Sequence, residues 1–196
     1  MQKGEYGYLR YKRKIETIKS IVFFSIAMAI FVIGYISTGT KKNWFTVLAV
    51  VSMLPVAKQI TVTVLYYRYK SGNKEVFDRI KAKEKSALCL SDIVITAYDK
   101  TFELMHVAIV ANTVIGYSEQ EKMPEKDAEI YLKNVIEQNG YSGVSVKIYK
   151  KENDYMERLV QMQEHLSKDK DMNKQKAEKN HQLEGKIAKV IKAVSI

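Results

Sequence analysis

Three histidines, a single cysteine and a few carboxylates are the side chains of this chain that could carry chemistry. His106 lies in the apolar run FELMHVAIVA, His165 in a helix-like stretch, and His181 in a charged one. A metal centre needs converging N, S or O donors, and HExxH or paired cysteines announce one in sequence. Neither is present, so no metal site is expected. Cys89 opens an apolar run with no histidine beside it, which reads as a buried structural thiol; being alone, it excludes an intrachain disulfide. His106 reads as a hydrogen-bonded core residue. With Asp92, Asp99 and Glu103 it makes the one polar set from which a site could be assembled on a sheet. Glu103 is three residues from His106 and falls on the opposite face of a regular strand. No GxxxxGK[ST] or GxGxxG loop occurs, so no cofactor and no catalytic residue is assigned.

Two apolar runs precede these residues. IVFFSIAMAIFVIGYIST, residues 21–38, carries no charge, and WFTVLAVVSMLPVAKQITVTVLYY, residues 44–67, carries Lys58. A helix rises ~1.5 Å per residue, so a ~30 Å hydrocarbon core needs about twenty apolar residues. Both runs meet that length and predict a transmembrane α-helical hairpin over 21–67. The first is longer than the ~7–15 apolar residues of a signal peptide, and the second follows at once. Small residues Ser25, Ala29, Ala49 and Ser52 are candidates for close helix approach.

Arginine and lysine crowd residues 1–20 and return from Arg68 onward, with only Lys41 and Lys42 between the runs. Positive flanks resist translocation, so the expectation is a multi-pass protein of the cell membrane with both termini cytoplasmic. Trp44 then marks the outer interface and Arg68 the inner one. Much of the net charge of +10 flanks the spans, which implies contact with the lipid bilayer and its anionic headgroups. Nucleic acid is not expected, because basic charge alone is unspecific. Lys58 is the odd residue. A lysine in a span marks an ion path or an acidic partner helix. The simpler reading is that Pro55 kinks the helix and the span ends near Lys58.

Residues 68–167 predict a cytoplasmic α+β domain. Asn73 can cap a helix over KEVFDRIKAKE, followed by strands in CLSDIVITAY, FELMHVAIVA and TVIGYS. The second of these is apolar on both faces, as a central strand would be. EKDAEIYLKNVIEQ reads as a helix ended by Asn139-Gly140, SGVSVKIY alternates as a strand, and NDYMERLVQMQEHL is helical. The order αβββαβα predicts a mostly antiparallel sheet whose last strand is reached by a crossover. Residues 168–196 form a charged linker or helix extension and then an amphipathic helix. Its stripe, Leu183, Ile187, Val190, Ile191 and Val194, suits lipid, a partner groove, or its own domain.

The order helix, three strands, helix, strand over about 74–149 is similar to the core of the restriction-endonuclease-like nucleases. The resemblance implies an acid on one strand and Glu-x-Lys on the next, around a divalent metal. TVIGYS has no Glu-x-Lys, so the resemblance argues against its own activity. The leading expectation is a membrane tether whose domain serves docking, sensing or assembly, with a protein partner at that domain. The alternatives are a membrane-tethered enzyme built from Asp92, Asp99, Glu103 and His106, and a subunit of an oligomeric transporter or channel using Lys58.

Overall fold

The structure, a computed structural model, describes residues 1–97, 100–172 and 174–196, the side chains of 168–177 aside. Among the described residues the order is α1 (Tyr8–Thr38), α2 (Trp44–Arg68), α3 (Lys74–Lys83), β1 (Leu88–Thr96), β2 (Thr101–Val110), β3 (Thr113–Tyr117), α4 (Glu125–Gln138), β4 (Ser145–Tyr149), α5 (Glu152–Met172) and α6 (Lys174–Val194). The chain divides into two compact units, Leu9–Lys70 and Met1–Tyr8 with Ser71–Ile196.

The first unit is the α1/α2 pair. By length and composition both helices are long and apolar enough to cross a membrane. The basic residues 10–19 belong to α1 itself. The turn is closed by Asn43, whose Oδ1 accepts from Thr46 N while Nδ2 donates to Thr38 Oγ1 and the Gly34 and Thr40 carbonyls. A Cβ on Gly34 would lie 2.2 Å from Phe45 Cβ, so glycine is what lets the helices approach there. On α1 the buried small residues are Ala27 and Gly34, whereas Ser25 and Ala29 face outward; Ala49 of α2 is buried. Pro55 does not end α2, which continues past Lys58 to Arg68. The turns beyond the proline are held across to α1: Thr63 Oγ1 donates to the Glu16 carbonyl at 3.0 Å, and Gln59 Nε2 to Glu16 Oε2 at 2.7 Å.

The second unit is a four-stranded sheet in the order β1-β2-β3-β4. It is mixed, which corrects the expected, mostly antiparallel pairing. β1, β2 and β3 follow one another in the chain and pair antiparallel, but the chain then passes through α4 and returns in the same direction, so β4 runs parallel to β3. Both faces are covered. α4 and α6 supply Leu132, Ile136, Ile187 and Ile191 to one core. α3 and α5 supply Phe77, Ile80, Leu159 and Met162 to the other. β2 therefore lies between two apolar layers. The stretch read as linker or helix extension is helical on both sides of residue 173. α6 buries its apolar stripe in its own domain: Ile187 and Ile191 are fully buried, with Leu183, Val190 and Val194 packed around them. Asn73 caps α3, accepting from Glu75 N, and Gly140 takes the left-handed φ of +88° after α4.

One irregularity decides where the polar residues point. Leu90 and Ile93 of β1 both face the α4/α6 core, which strict alternation forbids. Asp92 takes φ +52° and absorbs the odd residue. β2 makes the matching shift: Leu104 and Val107 face α4/α6, whereas Met105 and Ala108 face α3/α5. His106 is thereby turned to the α3/α5 side.

Candidate functional site

The shifted strand brings His106 to Glu84 and Tyr155. Its imidazole is fully buried; Nδ1 lies 2.6 Å from the Tyr155 hydroxyl and Nε2 2.6 Å from Glu84 Oε1. A carboxylate only accepts, so Nε2–H donates to Glu84, and in the neutral ring Nδ1 accepts from Tyr155. Glu84 is the C-cap of α3, whose Asn73 cap and Phe77–Ile80 face fix where the helix ends. Tyr155 comes from the first turn of α5, ringed by Tyr117, Tyr149 and the histidine itself. Burial pushes its phenol well above the ordinary value, with Cys89 and Glu84 adding to the effect.

Cys89 joins this group from β1. It pairs with Ala108 while Ser91 pairs with His106, so thiol and imidazole are diagonal neighbours on one face. Its Sγ, a ring nitrogen of His106 and a Glu84 carboxylate oxygen lie within 4.8 Å of one another. Burial, and then the Glu84 carboxylate, pushes the thiol well up, so Cys89 is a protonated thiol and not an activated nucleophile.

A cavity of about 380 Å³ opens onto Glu84 and Cys89. Lys81, Phe77 and Ser91 line it, together with Gly4, Glu5 and Tyr6 from the N-terminal strap. The strap is tied down along its length. The Gly4 carbonyl accepts from Ser91 N at 2.8 Å, Gly7 N donates to Asp92 Oδ2 at 2.6 Å, and Tyr6 stacks on Phe77 at 4.1 Å. Lys3 Nζ donates to the Lys192 and Ser195 carbonyls. Gly4 and Gly7 have φ of +95° and +84°, which only glycine adopts without strain.

The polar set read from the sequence is dispersed. Asp92 receives the strap at Gly7. Because of the strand shift, Glu103 falls on the same face as His106, not the opposite one, yet its Oε1 accepts from Gln120 Nε2 at 2.5 Å. Asp99 lies outside the described residues. Of the three described, His106 alone belongs to the cluster, and its partners Glu84, Cys89 and Tyr155 were not grouped with it in the sequence. Glu84 could have been found, since it ends a predicted helix five residues before Cys89. Tyr155 could not, because its approach depends on how α5 lies on the sheet.

In the helix pair, Lys58 is exposed, as are Trp44 and Arg68. The polar centre there is Glu16 instead, buried between α1 and α2 and bonded to Gln59, Lys12 at 3.2 Å and Lys19 at 3.0 Å. No protein-family model, curated protein or solved structure matches this chain.

Proposed function

We propose that the chain crosses the cell membrane twice, keeps both termini cytoplasmic, and holds its α+β domain at the inner face as a sensing or docking module. One observation carries this reading. Only 11% of the apolar window in each of α1 and α2 is buried, and the outward side chains include Phe23, Phe24, Ile33, Ile36, Leu48 and Leu54. A core helix of a water-soluble protein hides most of such a window; a pair this bare to its surroundings matches hydrocarbon as solvent. The distribution of Lys and Arg supports the orientation, with Lys41 and Lys42 alone in the turn. Between sensing and passive tethering, the cavity over Glu84 and Cys89 favours sensing, since it offers a small ligand polar and charged groups.

The test is topological. In intact cells, a Lys42→Cys variant is expected to react with a membrane-impermeant maleimide, and a reporter fused after Ile196 is expected to stay on the cytoplasmic side. The protein is expected to resist extraction by alkaline carbonate. An outward reporter, or a soluble chain, overturns the reading.

A further inference from the structure

We propose that Glu84, Cys89 and His106 bind a Zn²⁺ ion at the floor of the domain's cavity, with Tyr155 as the positioning residue behind His106. This goes beyond the topological reading and does not depend on it.

Donor chemistry comes first. Among the described residues, this is the one trio of His, Cys and carboxylate side chains whose ligand atoms lie within 4.8 Å of one another. One sulfur, one nitrogen and one oxygen donor suit a borderline-soft divalent ion; Mg²⁺ and Ca²⁺ call for oxygen throughout. Thiolate and carboxylate together cancel the charge of the ion, so binding leaves no unpaired charge in a half-buried site.

Geometry follows. Tetrahedral zinc, with Zn–S of ~2.3 Å and Zn–N and Zn–O of ~2.0–2.2 Å, sets its ligand atoms about 3.3–3.6 Å apart. Glu84 Oε1 now sits closer than that to Nε2, at 2.6 Å. Its side chain projects from a helix cap and is about a quarter exposed, so it can swing outward without moving the helix. The donors come from three successive elements, the end of α3, β1 and β2. The strand shift at Asp92 faces His106 toward the other two.

The imidazole is prepared on its far side. When Nε2 takes the metal, the ring proton belongs on Nδ1, which must then donate. Tyr155 can reverse its hydroxyl from donor to acceptor at the same 2.6 Å separation. The proton balance closes with one proton, from Cys89 Sγ, passing to solvent through the cavity, while in the neutral ring the imidazole proton moves from Nε2 to Nδ1. Three protein ligands leave a fourth position. It faces the cavity, where water or a small ligand enters beside Lys81 and Ser91. Closed structural zinc sites use four protein ligands, so this is the arrangement of an open site that exchanges a ligand.

The experiment uses the full chain in detergent, stripped with chelator and titrated with Zn²⁺ and with Co²⁺ as the spectroscopic probe. Expected are one ion per chain, a thiolate-to-cobalt charge-transfer band, and displacement of cobalt by zinc. Cys89→Ser is nearly isosteric and is expected to remove the band and weaken zinc at least 100-fold. Glu84→Gln is expected to weaken zinc with the band retained. Tyr155→Phe is expected to cost about 10–100-fold in affinity, again with the band in place, as loss of an orienting partner does. Retention of fold is read from the circular dichroism of each variant, and Cys89→Ser decides the matter should Tyr155→Phe unfold. Cobalt bound without the band, affinity unchanged in Cys89→Ser, or no ion held at micromolar free Zn²⁺ overturns the proposal.

Discussion

Glu16 is buried and Glu84 partly so, and both lie beside strong hydrogen-bond donors, yet their surroundings differ in kind. Glu16 lies between α1 and α2 with its side chain 5% exposed, and Gln59, Lys12 and Lys19 all reach it. Its own carbonyl also accepts from Thr63, which in turn meets Ser20 Oγ at 2.7 Å. Every contact there ties one helix to the other or steadies the first. Glu84 has a buried imidazole on one side and a cavity on the other, with the Cys89 thiol, which donates to the Ala87 carbonyl at 3.6 Å, next to it. A carboxylate whose donors surround it holds structure; one whose donors occupy a single side keeps capacity for a ligand.

The largest effect is therefore expected at Glu16. Glu16→Ala removes the acceptor shared by Gln59 and two lysines and is expected to destabilise the helix pair by about 3–5 kcal/mol, read by thermal unfolding in detergent. Glu16→Gln keeps an acceptor for Gln59 and is expected to lose clearly less. Equal losses would mean that charge alone, not the bonded network, joins the helices. Glu84→Gln is the counterpart. The amide oxygen still accepts from Nε2–H, so the expected cost is only about 0.5–1.5 kcal/mol in denaturant unfolding of the whole chain. A loss at Glu84 as large as at Glu16 would erase the distinction and make the cluster a structural one.

How much of this was legible in the sequence follows from the range of the forces involved. Periodicity and capping are local, so α3, the four strands and α4 lie where Asn73, the β-branched runs and Asn139-Gly140 place them. Parallel pairing of β4 was implicit in the crossover through α4, since a strand that returns after a crossover helix runs parallel to its neighbour. The strand shift at Asp92 was not legible. Its φ of +52° has no composition signal beyond the tolerance of aspartate for that region, and it reversed the relation of Glu103 to His106. The candidate site was missed for the same reason: Tyr155 is 49 residues from His106, and only packing of α5 on the sheet unites them. In the helix pair, Lys58 attracted attention as a charge inside an apolar run, whereas the interhelix contact belongs to the neighbouring Gln59.

The smallest effect tests the same distinction at the surface. Glu152 holds Arg79 through two bonds of 2.7 Å, but half of the arginine side chain is in solvent. The arginine's hydrogen bond holds the Glu152 carboxyl below its ordinary value of 4.5. A depressed carboxyl adds stability that is present above its unfolded value and is lost as pH falls through the folded one. Solvent and salt screen an exposed pair of this kind, so the increment is slight. Glu152→Gln is accordingly expected to lower Tm marginally at neutral pH, less in high salt, and not at all well below pH 4.5, where the wild-type pair is itself protonated. A Tm difference that survives in acid would assign Glu152 a packing role through its side-chain stem. Only a large neutral-pH effect, comparable to Glu16→Ala, would show that two-sided bonding suffices without burial to make a carboxylate structural here.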